Sequence, residues 1–221
     1  MNIIIANSNP VHLEIERKCQ ELFNSFIINE KHELSFEKLN ELKPDYIFFP
    51  HWSYIISKKI FKNFNCIVFH MTDLPYGRGG SPLQNLIMRG HTETVISALK
   101  VEEGIDTGPI YLKKSLSLAG TAEEIFLRAG QIILKMIEEI IKNKIIPVTQ
   151  EGEVTVFTRR TPNESNIQNI ADMETLYNHI RMLDAETYPK AFIETNFLKF
   201  EFSRASLKID GIIADVKITK K

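Results

Sequence analysis

The segment Ile67-Val-Phe-His70-Met-Thr-Asp-Leu-Pro-Tyr-Gly-Arg-Gly-Gly-Ser81 organises the fold predicted for this 221-residue chain. Its β-branched and aromatic start predicts a buried strand ending at His70, and the Gly-, Pro- and Arg-rich residues predict a turn after it. Further along, the glycine-flanked loop 104–108 carries Asp106. A histidine and a carboxylate on loops beside a rigid strand are the groups that general acid–base catalysis needs. Taken alone, a histidine at the end of a strand is equally compatible with a structural role. Taken alone, the sequence Asp-Thr-Gly is equally compatible with an ordinary turn.

Hydrophobic periodicity around this segment predicts strands that alternate with helices. Strands are predicted at 2–6, 26–28, 45–49, 66–70, 94–101 and 110–112, and helices at 11–23, 36–42, 55–61, 82–88 and 121–144. Leu13, Ile15 and Leu22 are expected on the apolar side of the first helix. Ser81 is expected to cap the helix at 82–88, and Thr121 with Glu124 to form a capping box. The fold class is therefore α/β, with a Rossmann-like, doubly wound, mostly parallel sheet whose edge is the antiparallel pair 94–101 and 110–112.

The pattern changes after Pro147. Short strands are predicted at 154–157, 191–193, 198–202 and 212–218, and a helix at 173–183. We therefore expect a catalytic domain over residues 1–150 and a small C-terminal α+β appendage over residues 151–221.

Composition limits the classes of function. Hydrophobic residues make up 43% and charged residues 25%, and no apolar run is long enough for a membrane span, so no membrane partner is expected. Two cysteines are too few for a disulfide framework and favour a cytoplasmic location. The net charge of −1, with Lys and Arg spread along the chain, argues against a nucleic-acid partner. No metal is expected.

Eight residues share one spaced pattern with a known family. They are His70, Leu74, Pro75, Arg78, Gly79, Asp106, Gly108 and Ile110. This pattern resembles the formyltransferases that use 10-formyltetrahydrofolate, in which Asn-x-His-x-Ser-Leu-Leu-Pro-x-x-Arg-Gly precedes Leu-Asp-x-Gly-x-Ile. The resemblance extends to 44–47, to Arg181, and to 188–192, which is similar to a segment of sugar N-formyltransferases. It implies transfer of a formyl group from 10-formyltetrahydrofolate to a primary amine.

The resemblance also implies roles for individual residues. His70 and Asp106 would be catalytic, with His70 stabilising an oxyanion or relaying a proton and Asp106 orienting it. The implied folate-binding residues are Trp52, Ser53, Tyr54, Arg78, Gly79, Glu103 and Ile105. The implied acceptor-binding residues are Thr72, Asp73, Arg78, Gly80, Arg181 and Tyr188. Purely structural roles are alternatives for several of these residues. They are an ion pair of Arg78 with Asp73, and core packing of Trp52 and Tyr188.

One position departs from the family pattern. The family's Asn, two residues before the histidine, is Val68 here, and valine offers no hydrogen-bond donor to an oxyanion. Thr72, Gln84 and Asn85 are the candidates to replace it, and the sequence leaves the choice open.

The acceptor is inferred from the segment around His70 and from the C-terminal part. Both resemble sugar N-formyltransferases of pseudaminic-type pathways, so a nucleotide sugar, a UDP-linked 4-amino-4,6-dideoxy sugar, is expected as substrate. The chain ends before the barrel domain of methionyl-tRNA enzymes would be complete. Alternatives are formyl transfer to methionyl-tRNA or glycinamide ribonucleotide, or a catalytically silent protein that binds folate or a sugar nucleotide. A homodimer is compatible with the resemblance.

Overall fold

The computed structural model describes residues 1–221, which divide into two compact units. The first unit comprises Met1–Gly79, Thr94–Leu116 and Phe126–Val156, and the second comprises Gly80–Glu93, Ser117–Ile125 and Phe157–Lys221. The units interleave along the chain, whereas the division predicted at residue 150 is contiguous. That division stays a prediction.

Eleven strands occur in chain order. They are β1 (Asn2–Asn7), β2 (Asn24–Ile28), β3 (Tyr46–His51), β4 (Cys66–His70), β5 (Arg78–Gly79), β6 (Glu93–Lys100), β7 (Ile110–Ser117), β8 (Val156–Phe157), β9 (Ala191–Glu194), β10 (Leu198–Lys208) and β11 (Gly211–Lys220). The main sheet has the order β2-β1-β3-β4-β6-β7. β1 pairs in parallel with β2 and β3, and β3 with β4, whereas β6 runs antiparallel to β4. The mostly parallel Rossmann-like α/β sheet is thus confirmed, with β6 and β7 at its edge.

Six α-helices accompany these strands. They are α1 (Leu13–Leu22), α2 (Phe36–Leu42), α3 (Lys58–Phe61), α4 (Pro82–Met88), α5 (Ala122–Asn143) and α6 (Met173–Met182). The predicted capping box begins α5, because the Thr121 N–H donates to the Glu124 carboxylate and the Glu124 N–H to the Thr121 hydroxyl. No helix has both the length and the apolar character needed to cross a membrane.

The prediction for the buried side of α1 was partly wrong. Leu13 and Leu22 are 56% and 53% exposed, whereas Ile15 and Cys19 are buried. Ile15 and Cys19 are four residues apart and therefore lie on one face of the helix. Leu13 and Leu22 are the first and last residues of the helix, and both stay exposed there.

Two further local predictions need correction. α3 begins at Lys58 and not at residue 55, and Ile55 is 92% exposed, so it has no apolar surface to pack on. Ser81 precedes α4 as predicted, but its backbone is left-handed (φ 50°) and its side chain makes no capping bond. Its hydroxyl instead accepts the Arg160 N–H.

In the second unit, α6 packs on a three-stranded antiparallel sheet of order β11-β10-β9. α6 also contacts α4, so that helix belongs to the second unit although it precedes α6 by many residues. The predicted small C-terminal α+β element is confirmed. Its strands β10 and β11 are longer than the sequence pattern indicated.

Candidate active site

His70 and Asp106, the two predicted catalytic residues, lie next to each other in the first unit. His70 ends β4 and is only 8% exposed. Its Nδ1 lies 3.5 Å from Asp106 Oδ2, and its Nε2 lies 2.7 Å from the carbonyl oxygen of Gly77. Because a carbonyl oxygen only accepts hydrogen bonds, we assign a proton to Nε2. Nδ1, the other ring nitrogen, faces the Asp106 carboxylate.

The loop that carries Asp106 is held in an unusual conformation. Asp106 has a left-handed backbone (φ 54°), which few residues other than glycine adopt. Its Oδ2 accepts the N–H of Gly79 at 2.9 Å. Two residues later, a Cβ on Gly108 would come within 1.8 Å of the Lys100 carbonyl oxygen, so only glycine fits there. The loop therefore lies directly against the end of β6.

Gln150 connects this loop to Arg78. Its Nε2 donates to the carbonyls of Asp106 (2.8 Å) and Gly108 (2.7 Å), and its Oε1 accepts from Arg78 Nε (3.2 Å) and Nη2 (2.8 Å). Gln150 is not among the site residues predicted from the sequence. No local motif marks it, because its partners lie 42 to 72 residues away along the chain.

In the turn after β4, Asp73 and Arg78 have different partners. The Lys113 ammonium pairs with the Asp73 carboxylate and also donates to the Leu74 carbonyl. The alternative that Arg78 pairs with Asp73 was therefore wrong. Thr72 is fully buried and its hydroxyl donates to the Gly77 carbonyl at 3.3 Å.

The predicted folate-binding residues of the first unit fall into two groups. The Trp52 ring packs edge-on against Phe49 (centroids 5.8 Å apart) and against Tyr54 (5.2 Å), beside the core cluster around β1, β3 and β4. The Ser53 N–H donates to the Ser8 hydroxyl at 3.1 Å. By contrast, Tyr54 keeps 39% exposure.

The other group lies on the Asp106 loop. Ile105 is 70% exposed next to Asp106. The Glu103 carboxylate pairs with the Lys58 ammonium at 2.8 Å, and this ion pair lowers the pKa of Glu103. This loop therefore offers an exposed apolar side chain and an exposed acid to a ligand.

Three predicted site residues lie in the second unit. A Cβ on Gly80 would come within 2.4 Å of the Arg159 side chain, so glycine permits close packing there. Arg181 is 9% exposed and donates to the carbonyls of Leu118 (2.6 Å) and Gly120 (2.9 Å). Burial lowers the pKa of Arg181 and raises the pKa of Tyr188. The Arg181 guanidinium therefore holds the chain before α5, and its acceptor-binding role stays a prediction.

All three candidates to replace the family Asn already donate to main-chain carbonyls. Thr72 does so to Gly77, Gln84 Nε2 donates to the Met182 carbonyl at 3.2 Å, and Asn85 Nδ2 donates to three carbonyls. Each of the three candidates therefore already uses a donor group within the protein, and the choice among them stays open.

Neither cysteine is a nucleophile. Cys19 lies on α1 and Cys66 begins β4, at the opposite end from His70, and both are buried. Burial raises the pKa of each thiol to about 12, so neither forms a thiolate at neutral pH.

A second histidine pair is formed by His12, in the turn that follows β1, and His51, the last residue of β3. Their ring centroids are 5.8 Å apart, and His12 Nδ1 is buried without a hydrogen-bond partner. Burial, with a smaller contribution from His51, lowers the pKa of His12 to about 3, and burial lowers that of His51 to about 4. Both rings are therefore neutral at physiological pH and pack on Phe126.

Comparisons with known proteins agree with the resemblance noted in the sequence. A family model described as Formyl transferase matches residues 7–128, and a second, described as Methionyl-tRNA formyltransferase, C-terminal domain, matches residues 162–219. A solved structure, the methionyl-tRNA formyltransferase from Clostridium thermocellum, is 54% identical, covers 100% of both chains and has a TM-score of 0.97.

Two further relatives extend the comparison. The methionyl-tRNA formyltransferase of Clostridium botulinum is 30% identical over 72% of this chain, which spans 53% of that relative's length. HypX from Aquifex aeolicus, solved in complex with tetrahydrofolic acid, shares the fold at 16% identity with a TM-score of 0.77, over 92% of this chain and 37% of its own.

Proposed function

This chain belongs to the formyl transferase family, and we propose that it transfers the formyl group of 10-formyltetrahydrofolate to the amino group of methionyl-tRNA. The predicted enzyme class and the predicted formyl donor are confirmed. The observation that carries the proposal is the 54% identity over the full length to the Clostridium thermocellum methionyl-tRNA formyltransferase. The match of residues 162–219 to the C-terminal domain of such enzymes supports it. A substrate used in translation supports the cytoplasmic location expected from the sequence.

Two predictions from the sequence were wrong. The sugar-nucleotide acceptor is contradicted, because full-length identity and the C-terminal match both point to methionyl-tRNA formyltransferases. The expectation of no nucleic-acid partner is contradicted by the same findings. A net charge of −1 is a sum over the whole chain, whereas contacts with a nucleic acid depend on local charge.

The chemistry assigned to the site is an acyl transfer between two amines. The methionine nitrogen attacks the formyl carbon, a tetrahedral oxyanion forms, and the bond from that carbon to N10 of the folate breaks. One proton moves from the attacking nitrogen to N10, so atoms and charge balance. Bringing both reactants to one place supplies much of the rate.

His70 and Asp106 serve this transfer in different ways. The buried His70 imidazole stabilises the oxyanion. Because Val68 offers no donor, His70 takes over the role of the family's amide. Asp106 orients the His70 ring and relays the proton of the attacking amine towards N10. Among the remaining predicted residues, Ile105 and Tyr54 offer exposed surface for the donor's ring.

The test is formylation of methionyl-tRNA with 10-formyltetrahydrofolate, followed by detection of formylmethionyl-tRNA. The controls are uncharged tRNA and a tRNA charged with leucine. We expect product with methionyl-tRNA alone. Formyl transfer to glycinamide ribonucleotide, with none to methionyl-tRNA, would overturn the acceptor assignment but keep the family chemistry.

A further inference from the structure

We propose that Gln150 is a positioning residue for formyl transfer, which acts by holding the Asp106 loop in the conformation that aims its carboxylate at His70. The inference rests on the roles proposed above for His70 and Asp106. It is independent of which amine accepts the formyl group.

The side-chain amide of Gln150 is fully used. Its two N–H groups donate to the carbonyls of Asp106 and Gly108, and its oxygen accepts two bonds from the Arg78 guanidinium. An amide offers two donors and two acceptor lone pairs, so no further bond is possible. Carbonyl acceptors on one side and a cation on the other also fix which end of the amide is nitrogen.

Asp106 requires such a restraint. Its left-handed backbone is unfavourable for a residue with a side chain and persists only when its surroundings hold it. Gln150 binds the carbonyl of Asp106 itself and that of Gly108, two residues later. The Asp106 carboxylate, in turn, lies 3.5 Å from His70 Nδ1, a separation that a small rotation of the loop would lengthen.

The Gln150 amide also restrains the segment 77–79, which contacts both His70 and Asp106. Arg78 lies between Gly77, whose carbonyl binds His70 Nε2, and Gly79, whose N–H binds Asp106 Oδ2. By binding Arg78, Gln150 joins the segment that contacts His70 to the loop that carries Asp106. One side chain thus sets the relative position of both catalytic groups, without contact to either catalytic side chain.

A different reading is that Gln150 merely orients Arg78 for a ligand. The variant Gln150→Glu separates the two readings. A carboxylate accepts from Arg78 at least as well as an amide, since the bond becomes charge-assisted. It cannot donate to the carbonyls of Asp106 and Gly108, and it would repel both oxygens at 2.7–2.8 Å. The proposal therefore expects Gln150→Glu to be as impaired as Gln150→Ala.

The experiment measures kcat and the donor KM of Gln150→Glu and Gln150→Ala. Gln131→Ala, on the exposed face of α5, is the matched control. We expect kcat to fall about 30-fold or more in both Gln150 variants, with the donor KM within about threefold, as for a misplaced catalytic group. Retention of wild-type kcat by Gln150→Glu would overturn the proposal, and a fall confined to KM would do so as well.

A second readout follows the His70 ring directly. Long-range proton–nitrogen NMR reports the protonation of ring nitrogens, and His70→Asn identifies the His70 signals. We expect the Nδ1 signal of His70 to move in both Gln150 variants and to stay unchanged in Gln131→Ala. An unchanged ring signal together with reduced kcat would overturn the proposal. Because this readout needs no acceptor, it stands even if methionyl-tRNA is not the substrate.

Discussion

Replacement of Gly108 by alanine should misplace Asp106 without removing any catalytic group. The added Cβ would lie 1.8 Å from the Lys100 carbonyl oxygen and 2.9 Å from its carbon. An ordinary contact of carbon with oxygen is about 3.3 Å, so the loop must move by roughly 1.5 Å. Misplacement by about 1 Å can lower a rate about 10²-fold, which corresponds to roughly 2.7 kcal/mol of transition-state stabilisation. We therefore expect kcat/KM for formyl transfer to fall at least about 100-fold.

The control for this variant is Gly211→Ala at the start of β11, where an added Cβ meets nothing within 4 Å. The rate of formyl transfer is measured by the release of tetrahydrofolate. Urea unfolding tests whether both variants remain folded. Overpacking should also lower the free energy of unfolding of Gly108→Ala by about 1–3 kcal/mol. A Gly108→Ala enzyme that is folded and within threefold of the wild-type kcat/KM would refute the reasoning.

Three further outcomes are expected. His70→Ala and Asp106→Ala should each reduce formyl transfer about 10³-fold or more with unchanged circular dichroism, and near-normal rates in either would contradict the proposed roles. Because burial lowers the pKa of His12 to about 3 and that of His51 to about 4, the unfolded chain binds more protons below pH 6.5. The free energy of unfolding should therefore fall as the pH drops, by about 2 kcal/mol per histidine at pH 5. In His12→Asn, urea unfolding at pH 7 and pH 5 should show a fall that is smaller by the contribution of His12. An equal fall in wild type and His12→Asn would rule out His12 as a cause of the pH dependence. Arg181→Met, which leaves two carbonyls without their donor, should lower the free energy of unfolding by about 2–3 kcal/mol, and a change under 0.5 kcal/mol would contradict its structural role.

Local patterns were sufficient for much of the fold. The strand at 66–70 and the helices at 36–42 and 82–88 have the predicted bounds, because hydrophobic periodicity acts within a few residues. The capping box of α5 formed as predicted for the same reason. Helix α3 was predicted too long, and Ile55, at the start of the predicted helix, is exposed and does not pack on the core.

The amino-acid sequence by itself determined the α/β order of elements and predicted His70 and Asp106 as the catalytic residues. Strand pairing does not explain why they meet, because β6 runs antiparallel to β4 and its last residue, Lys100, pairs with Ile67 and not with His70. The loop after β6 has to return to the carboxyl end of β4, and only the tertiary structure fixes its course. The acceptor was predicted wrongly, because the prediction rested on short stretches that resemble sugar N-formyltransferases, and the full-length similarity overturned it.

Only the tertiary structure decided which polar groups are available for chemistry. In the folded chain, Asp73 pairs with Lys113, and Arg181 donates hydrogen bonds to two main-chain carbonyls. The tertiary structure also brings Gln150 to the Asp106 loop, across 44 residues of chain. Periodicity and caps report on interactions within a few residues, whereas these bonds depend on where distant loops meet. A hydrogen bond requires a short distance between donor and acceptor and a favourable angle, and only the folded chain fixes both.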